Sequence, residues 1–232
     1  MVAEPYPIII SRKKNRKRIQ LECSPDFTIA VQAPLFVSKR VILDFVSSKQ
    51  PWIQQRMMQF KQGMHLVFPK PITFGSKLYY LGKPYTVVLM TTSQPMIYFE
   101  ENNCIICFSD VYDQEKLHAF VTQWYRDCAT TFFKERLDYW AEKMTVDVTN
   151  LHVKKYKSRW GCCSRNGAIS LNWLLIKAPP DVIDYVIIHE CAHLEYFDHS
   201  KDFWLLVQKY MPSYKEKKKW LKEYGLFLLQ NH

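Results

Sequence analysis

Glycine is scarce in this chain, with six residues in 232. They form no glycine-rich phosphate loop, and no Gly- or Ser-rich linker separates one part from another. No apolar run approaches the ~18 residues a membrane span needs. Ile8-Ile9-Ile10 is too short for the apolar region of a signal peptide, and the basic residues follow it rather than precede it. Internal repeats and low-complexity segments are absent. The seven cysteines are odd in number and irregularly spaced, with Cys162 and Cys163 adjacent. They make no disulfide framework, so reduced thiols in a cytoplasmic protein are expected. Cys104-Ile105-Ile106-Cys107 reads as buried thiols on a strand rather than a redox pair.

Acidic residues are the minority: 22 against 32 basic ones, a net charge of +10. This balance favours anionic substrates or polyanionic partners, nucleotide or nucleic acid among them. The densest basic run, Arg12 to Arg18, flows into the alternating Ile19 to Cys23. It is expected to be the solvated face of an N-terminal hairpin, with a nucleic-acid-binding arm as the alternative. At 48% hydrophobic, the chain has enough apolar surface for one large core or two smaller ones.

What the chain does have is His189-Glu190-Cys191-Ala192-His193, followed six residues on by His199. Histidines four apart share a helix face, so both rings can reach one ion, while the glutamate between them projects aside as a general base. This is the H-E-x-x-H pattern of zinc peptidases. Pro179-Pro180-Asp181 stops the preceding segment and offers Asp181 as an N-cap or Pro180 as a helix starter. Val182, Tyr185, Val186, His189, Ala192 and His193 then recur at helical spacing. An uninterrupted helix would carry His199 about 80° around the axis from His189 and too far along it. A turn near Tyr196-Phe197-Asp198 would return it, with Ser200 capping a helix from Lys201 to Tyr210. Three histidines with an open fourth position form a catalytic rather than a structural site.

Before this lie short strand candidates at Ile8–Ile10, Ile19–Cys23 and Phe27–Gln32. Ser38 caps a helix from Lys39 toward Phe60 that is interrupted at Pro51. A meander is expected through Phe74-Gly75, Leu78–Leu81, Tyr85–Leu89 and Met96–Phe99, with Gly82-Lys83-Pro84 turning one hairpin. His65 and His118 are isolated and carry no constellation. Composition shifts near Val111, after which Asp113 to Met144 is helical over many turns. The parts expected are 1–111, β-rich with one helix, and 112–232, packed together. Val153 to Gly161 and Ala168 to Trp173 flank Asn166-Gly167, a strong hairpin signal. A hairpin there could hold an extended peptide by main-chain hydrogen bonds. Its basic residues, Lys154, Lys155, Lys157 and Arg159, would equally suit an anionic ligand.

Arg159-Trp160-Gly161-Cys162-Cys163-Ser164, Asn172, Ala178-Pro179, Tyr185 to Glu190 and His199 to Trp204 resemble the YgjP-like metallopeptidase family, a relative of SprT-like and minigluzincin-like zincins. The resemblance reaches back to Trp52-Ile53 and Tyr80 to Tyr85. The chain departs from the family at Cys162, where serine is usual, and at Cys191, where leucine is usual. The resemblance implies an α+β fold: a zincin-like domain with its H-E-x-x-H helix and β-hairpin, behind a smaller β-rich N-terminal part. It implies one Zn2+ held by His189, His193 and His199, with Glu190 as general base for attack of activated water on a peptide carbonyl. Glu216 or Glu223 on the last helix are alternative third ligands. Arg159, Trp160, Asn172 and Lys157 are candidate substrate contacts. The expected partner is a peptide or protein substrate. The resemblance also implies two alternatives: a Mg2+-dependent nucleoside-triphosphate (UTP) pyrophosphatase, and a nucleic-acid-associated SprT-like protease or binding module.

Overall fold

The computed structural model describes residues 6–14, 16–23, 27–63 and 70–229; His65 lies outside them. The described residues form six α-helices and three small sheets, a mixed α+β fold. Two compact units divide the chain, Met1–His65 and Leu66–His232. The composition shift near Val111 therefore falls inside the second unit.

In the first unit, β1 (Ile8–Lys13) and β2 (Gln20–Cys23) flank β3 (Ile29–Pro34). The expected hairpin between the first two strands does not form, because β1 runs parallel to β3 and β2 antiparallel to it. Burial explains the order: β3 supplies Ile29, Val31 and Ala33 to the core, whereas β1 is almost wholly exposed. Within the basic run, Arg16 donates to the side chains of Gln20 and Gln32. Ser38 caps α1 (Lys39–Ser48) by accepting from the Val41 amide at 3.3 Å. The break comes at Lys49, and Pro51 stands in the first turn of α2 (Gln50–Gly63), where its missing N–H costs nothing.

The second unit opens with β4 (Lys77–Tyr80), β5 (Lys83–Thr91), β6 (Met96–Glu100) and β7 (Asn103–Phe108) in the order β4-β5-β7-β6. A meander would have put β6 beside β5. Instead β7 lies between them, parallel to β5. Cys104, Ile105, Ile106 and Cys107 are all buried, which suits a central strand, while β6 alternates exposed and half-buried residues as an edge does. Both cysteines are free thiols. Leu81 and Gly82, with φ of 49° and 79°, make the β4–β5 turn, so Lys83 and Pro84 already belong to the strand.

Asp113 caps α3 (Gln114–Met144) by accepting from the Lys116 amide at 3.1 Å. Leu117, Val121, Tyr125, Ala129, Phe133 and Leu137 make a buried stripe at every fourth residue. Tyr125 donates its hydroxyl to the Tyr79 carbonyl at 2.8 Å, tying this helix to β4. The last sheet has the order β8-β10-β9, from β8 (Asn150–Lys154), β9 (Gly161–Cys163) and β10 (Ala168–Asn172). Asn166-Gly167 turns the β9–β10 hairpin as expected, with Gly167 at φ 83°. The chain ahead of it does not run as one strand. β8 pairs on the opposite side of β10, in parallel, and 155–160 crosses between.

A 3-10 helix, Trp173–Lys177, leads into α4 (Pro180–Ala192), followed by α5 (Lys201–Tyr210) and α6 (Tyr214–Leu229). Pro180 starts α4 without a side-chain cap, and Asp181 instead bridges to Lys217 at 2.5 Å. The β4–β5 turn is clamped to this junction. Leu81 and Gly82 amides donate to the Ile176 and Lys177 carbonyls, at 2.9 and 3.1 Å. A Cβ on Gly82 would lie 2.8 Å from Pro179 Cα, so only glycine fits there. Halfway along α4, Asp184 accepts two hydrogen bonds from Arg136 of α3, at 2.7 and 2.6 Å.

Candidate metal centre

Almost every residue of α4 is buried, so the fold fixes the pitch and rotation of the helix that carries the histidines. His189 lies in its last turn and His193 is its C-cap residue. The turn through Tyr196 to Asp198 then reverses the chain. Asp198 accepts from the Ser200 amide at 3.0 Å, and Ser200 accepts from the Phe203 amide at 3.4 Å to start α5. This local chemistry returns His199 to the other two.

The candidate ligand atoms of His189, His193 and His199 all lie within 4.8 Å of one another. The Nε2 atoms of His189 and His199 are 3.1 Å apart. Two nitrogens bound at ~2.0–2.1 Å to one tetrahedral ion are separated by about 3.3 Å, so the spacing fits a shared cation. His193 Nδ1 is 2.9 Å from the Tyr196 carbonyl. Donation to that oxygen puts the proton on Nδ1 and leaves the Nε2 lone pair for a metal. His189 Nδ1 is buried without a hydrogen-bond partner among the described residues. Rings take over its positioning: Phe203 stands edge-on at 4.9 Å, and Phe203 also meets His193 and His199 at 4.6 and 4.9 Å. Trp204 stacks on His199 at 5.7 Å. Burial, with the charges of His193, His199 and Lys218, pushes His189 down to about 3, the neutral form a metal requires. Glu216 and Glu223 do not join the cluster among the described residues.

Glu190 points to the other side of α4, toward β9. A Cβ on Gly161 would lie 2.6 Å from Glu190 Oε1, so the strand leaves room for the carboxylate only because residue 161 has no side chain. Burial pushes the Glu190 carboxyl up to about 8, against the opposing pull of Arg159 and a hydrogen bond from the Cys163 amide. Ser164 donates to the Ala168 carbonyl and Asn172 to the Trp160 carbonyl. By antiparallel alternation, the Gly161 and Cys163 main chain therefore faces away from β10. A cleft of about 380 Å3 opens here, lined by Trp160, Gly161, Tyr185, His189, Glu190 and the α6 residues Lys218, Leu221 and Lys222.

The chain from residue 17 to residue 224 matches the family described as YgjP-like, metallopeptidase domain. The chain belongs to this family. No curated protein matches it. Two solved structures resemble part of it. The metallopeptidase zymogen of Pyrococcus abyssi abylysin is 22% identical, over 40% of this chain and 95% of that one, at a TM-score of 0.37. The zymogen of Methanocaldococcus jannaschii jannalysin is 16% identical, over 39% and 94%, at a TM-score of 0.36. No helix among the described residues is long and apolar enough to cross a membrane.

For this YgjP-like chain, the candidate substrate contacts separate. Trp160 lines the cleft, and Gly225 of α6 packs so closely on its ring that a Cβ would come within 2.9 Å. Arg159 is exposed over the Tyr156 ring at 5.6 Å and acts on Glu190 through its charge. Asn172 is fully buried, so the structure does not offer it to a ligand. Its amide donates to the Tyr156 and Arg159 carbonyls and its oxygen accepts from Leu174, which shapes the 155–160 crossing. Lys157 is exposed and not part of the cleft lining, and Lys154 lines a different groove, beside α3. Lys218 and Lys222 were not legible as site residues: they sit in a lysine-rich helix, and only packing selects the two that face the cleft.

Proposed function

We propose that this chain is a zinc-dependent peptidase in which His189, His193 and His199 hold the ion and Glu190 is the general base. The observation that carries the reading is the convergence of three imidazole nitrogens next to a buried carboxylate held clear by Gly161. When bound, the ion would supply Lewis-acid polarisation of the substrate carbonyl and a more acidic water. Glu190 takes the proton from the attacking water and returns it to the leaving nitrogen. The outward main chain of Gly161 can align an extended substrate as an added strand. Phe203, Trp204 and Tyr185 pack the histidines so that little reorganisation accompanies the reaction.

The pyrophosphatase reading fits the donor set less well. Mg2+ takes oxygen ligands, whereas three nitrogens gather here, and of the basic hairpin only Arg159 acts on Glu190. Metal content, with casein and UTP hydrolysis, tests the choice on wild type, Glu190→Gln and His199→Ala. Stoichiometric zinc kept in Glu190→Gln and lost in His199→Ala, with casein cleaved by the wild type alone, is expected. A wild type that binds no zinc but hydrolyses UTP with magnesium would overturn the proposal.

A further inference from the structure

The wall of the cleft contributed by α6 is charged in a particular way. Five lysines lie between Lys215 and Lys219 or at Lys222. Lys217 is engaged by Asp181 at 2.5 Å, and Lys219 lies 4.0 Å from Glu223. Lys218 and Lys222, one helical turn apart, have no acidic partner among the described residues, and both line the cleft. Lys218 is also held in place, with its ammonium 4.1 Å from the centre of the Trp204 ring, the ring that stacks on His199. Its charge reaches both His189 and His199. Among the described residues, the only carboxylate lining the cleft is that of Glu190, which is turned into β9. The lining also includes the apolar side chains of Trp160, Val186 and Leu221. Such a lining offers apolar contact to an aliphatic stem and two ammonium groups to a negatively charged head.

We infer that Lys218 and Lys222 select peptide substrates that carry a carboxylate close to the scissile bond. The inference rests on the peptidase reading and adds the substrate class. The carboxylate is either an acidic side chain or the peptide's own C-terminus, since both offer the same group to two ammonium ions. A charge-assisted hydrogen bond in a partly desolvated cleft contributes enough to discriminate about ten- to hundredfold against an uncharged isostere.

The test uses the zinc-loaded 232-residue chain and matched fluorescent peptides bearing Glu, Gln or Lys at each position within two of the cleaved bond. Each peptide is made with a free and with an amidated C-terminus. Binding is read by anisotropy in the Glu190→Gln background, and kcat/KM in the Glu190 background. Lys218→Gln, Lys222→Gln and Lys222→Glu are compared with their parent, with melting temperature as the folding control. A preference for Glu over Gln of tenfold or more is expected at one position. It should shrink toward unity in the Gln variants and turn toward the Lys peptide in Lys222→Glu. A preference confined to free-acid peptides identifies the C-terminus as the carboxylate. Peptides cleaved with no charge preference, or with one that survives the lysine substitutions, would overturn the inference and leave the peptidase reading standing. Lysine-dependent binding of acidic peptides without any cleavage would sink the peptidase reading and with it the placement at a scissile bond, leaving Lys218 and Lys222 as a carboxylate-binding pair. Competition by UTP with no discrimination among peptides would overturn both.

Discussion

Gly161→Ala isolates the role of Glu190 without touching any histidine. Gly161 does not have a positive φ, so alanine carries no backbone penalty there. The whole effect comes from the added methyl group, which would sit 2.6 Å from Oε1, 2.7 Å from Cγ and 2.9 Å from Cδ of Glu190. Restoring contact at ~3.5 Å requires the carboxylate to move by roughly 0.9 Å. β9 cannot easily give way, because it is hydrogen-bonded to β10 along its length. A misplacement of about 1 Å in a catalytic group costs roughly a hundredfold in rate. The expected result is a fall in kcat/KM of about that size. Zinc content should be unchanged, and overcrowding should lower stability by about 1–3 kcal/mol. Peptide cleavage assays, elemental analysis and urea unfolding on one preparation measure all three. Activity within a few-fold of wild type would refute the placement of Glu190 against β9. Loss of zinc would show that the methyl acts through the histidines and not through the base.

Three more expectations follow from the geometry. Asp184→Ala leaves Arg136 without its bidentate partner between α3 and α4 and should destabilise the fold by about 2–3 kcal/mol. Combining it with Arg136→Ala should recover part of that loss in urea unfolding, and strict additivity would contradict the pairing. Lys177 is fully buried against the Tyr125 and Trp173 rings, and burial pushes its ammonium well below 10.5. Between its lowered folded-state value and 10.5 the unfolded chain holds a proton that the folded chain has released, so this residue's contribution to stability rises with pH across that window. The stability difference between wild type and Lys177→Met should therefore shift in favour of wild type as pH increases from 7 to 10, and a difference flat with pH would refute a depressed Lys177. Removing metal with a chelator should lower the melting temperature of wild type but not of His193→Ala, and zinc at about a thousandfold over its Kd should restore roughly 4 kcal/mol. An equal response of both proteins would exclude His193 as a ligand.

Much of the site was legible in the sequence because its signals are local. Pro180 presets the first turn of α4, four-residue spacing aligns His189 with His193, and Ser200 caps α5, so the turn returning His199 follows from three short-range rules. Strand order was not legible, because it depends on which strand is buried on both faces. β6 and β7 are both apolar enough to be strands, yet only the burial of Cys104 to Cys107 puts β7 in the middle. Asn172 reads as a polar residue near the site, whereas its environment makes it a buried brace.

The amino-acid order alone determined the candidate ligand set, the neighbouring carboxylate and the family resemblance, since each rests on residue identity at short spacing. Tertiary structure decided which main chain lies against Glu190, why residue 161 lacks a side chain, and which two of the α6 lysines face the cleft. These come from contacts between segments far apart in the chain. The packing of β9, α4 and α6 creates them, and no local pattern encodes that packing.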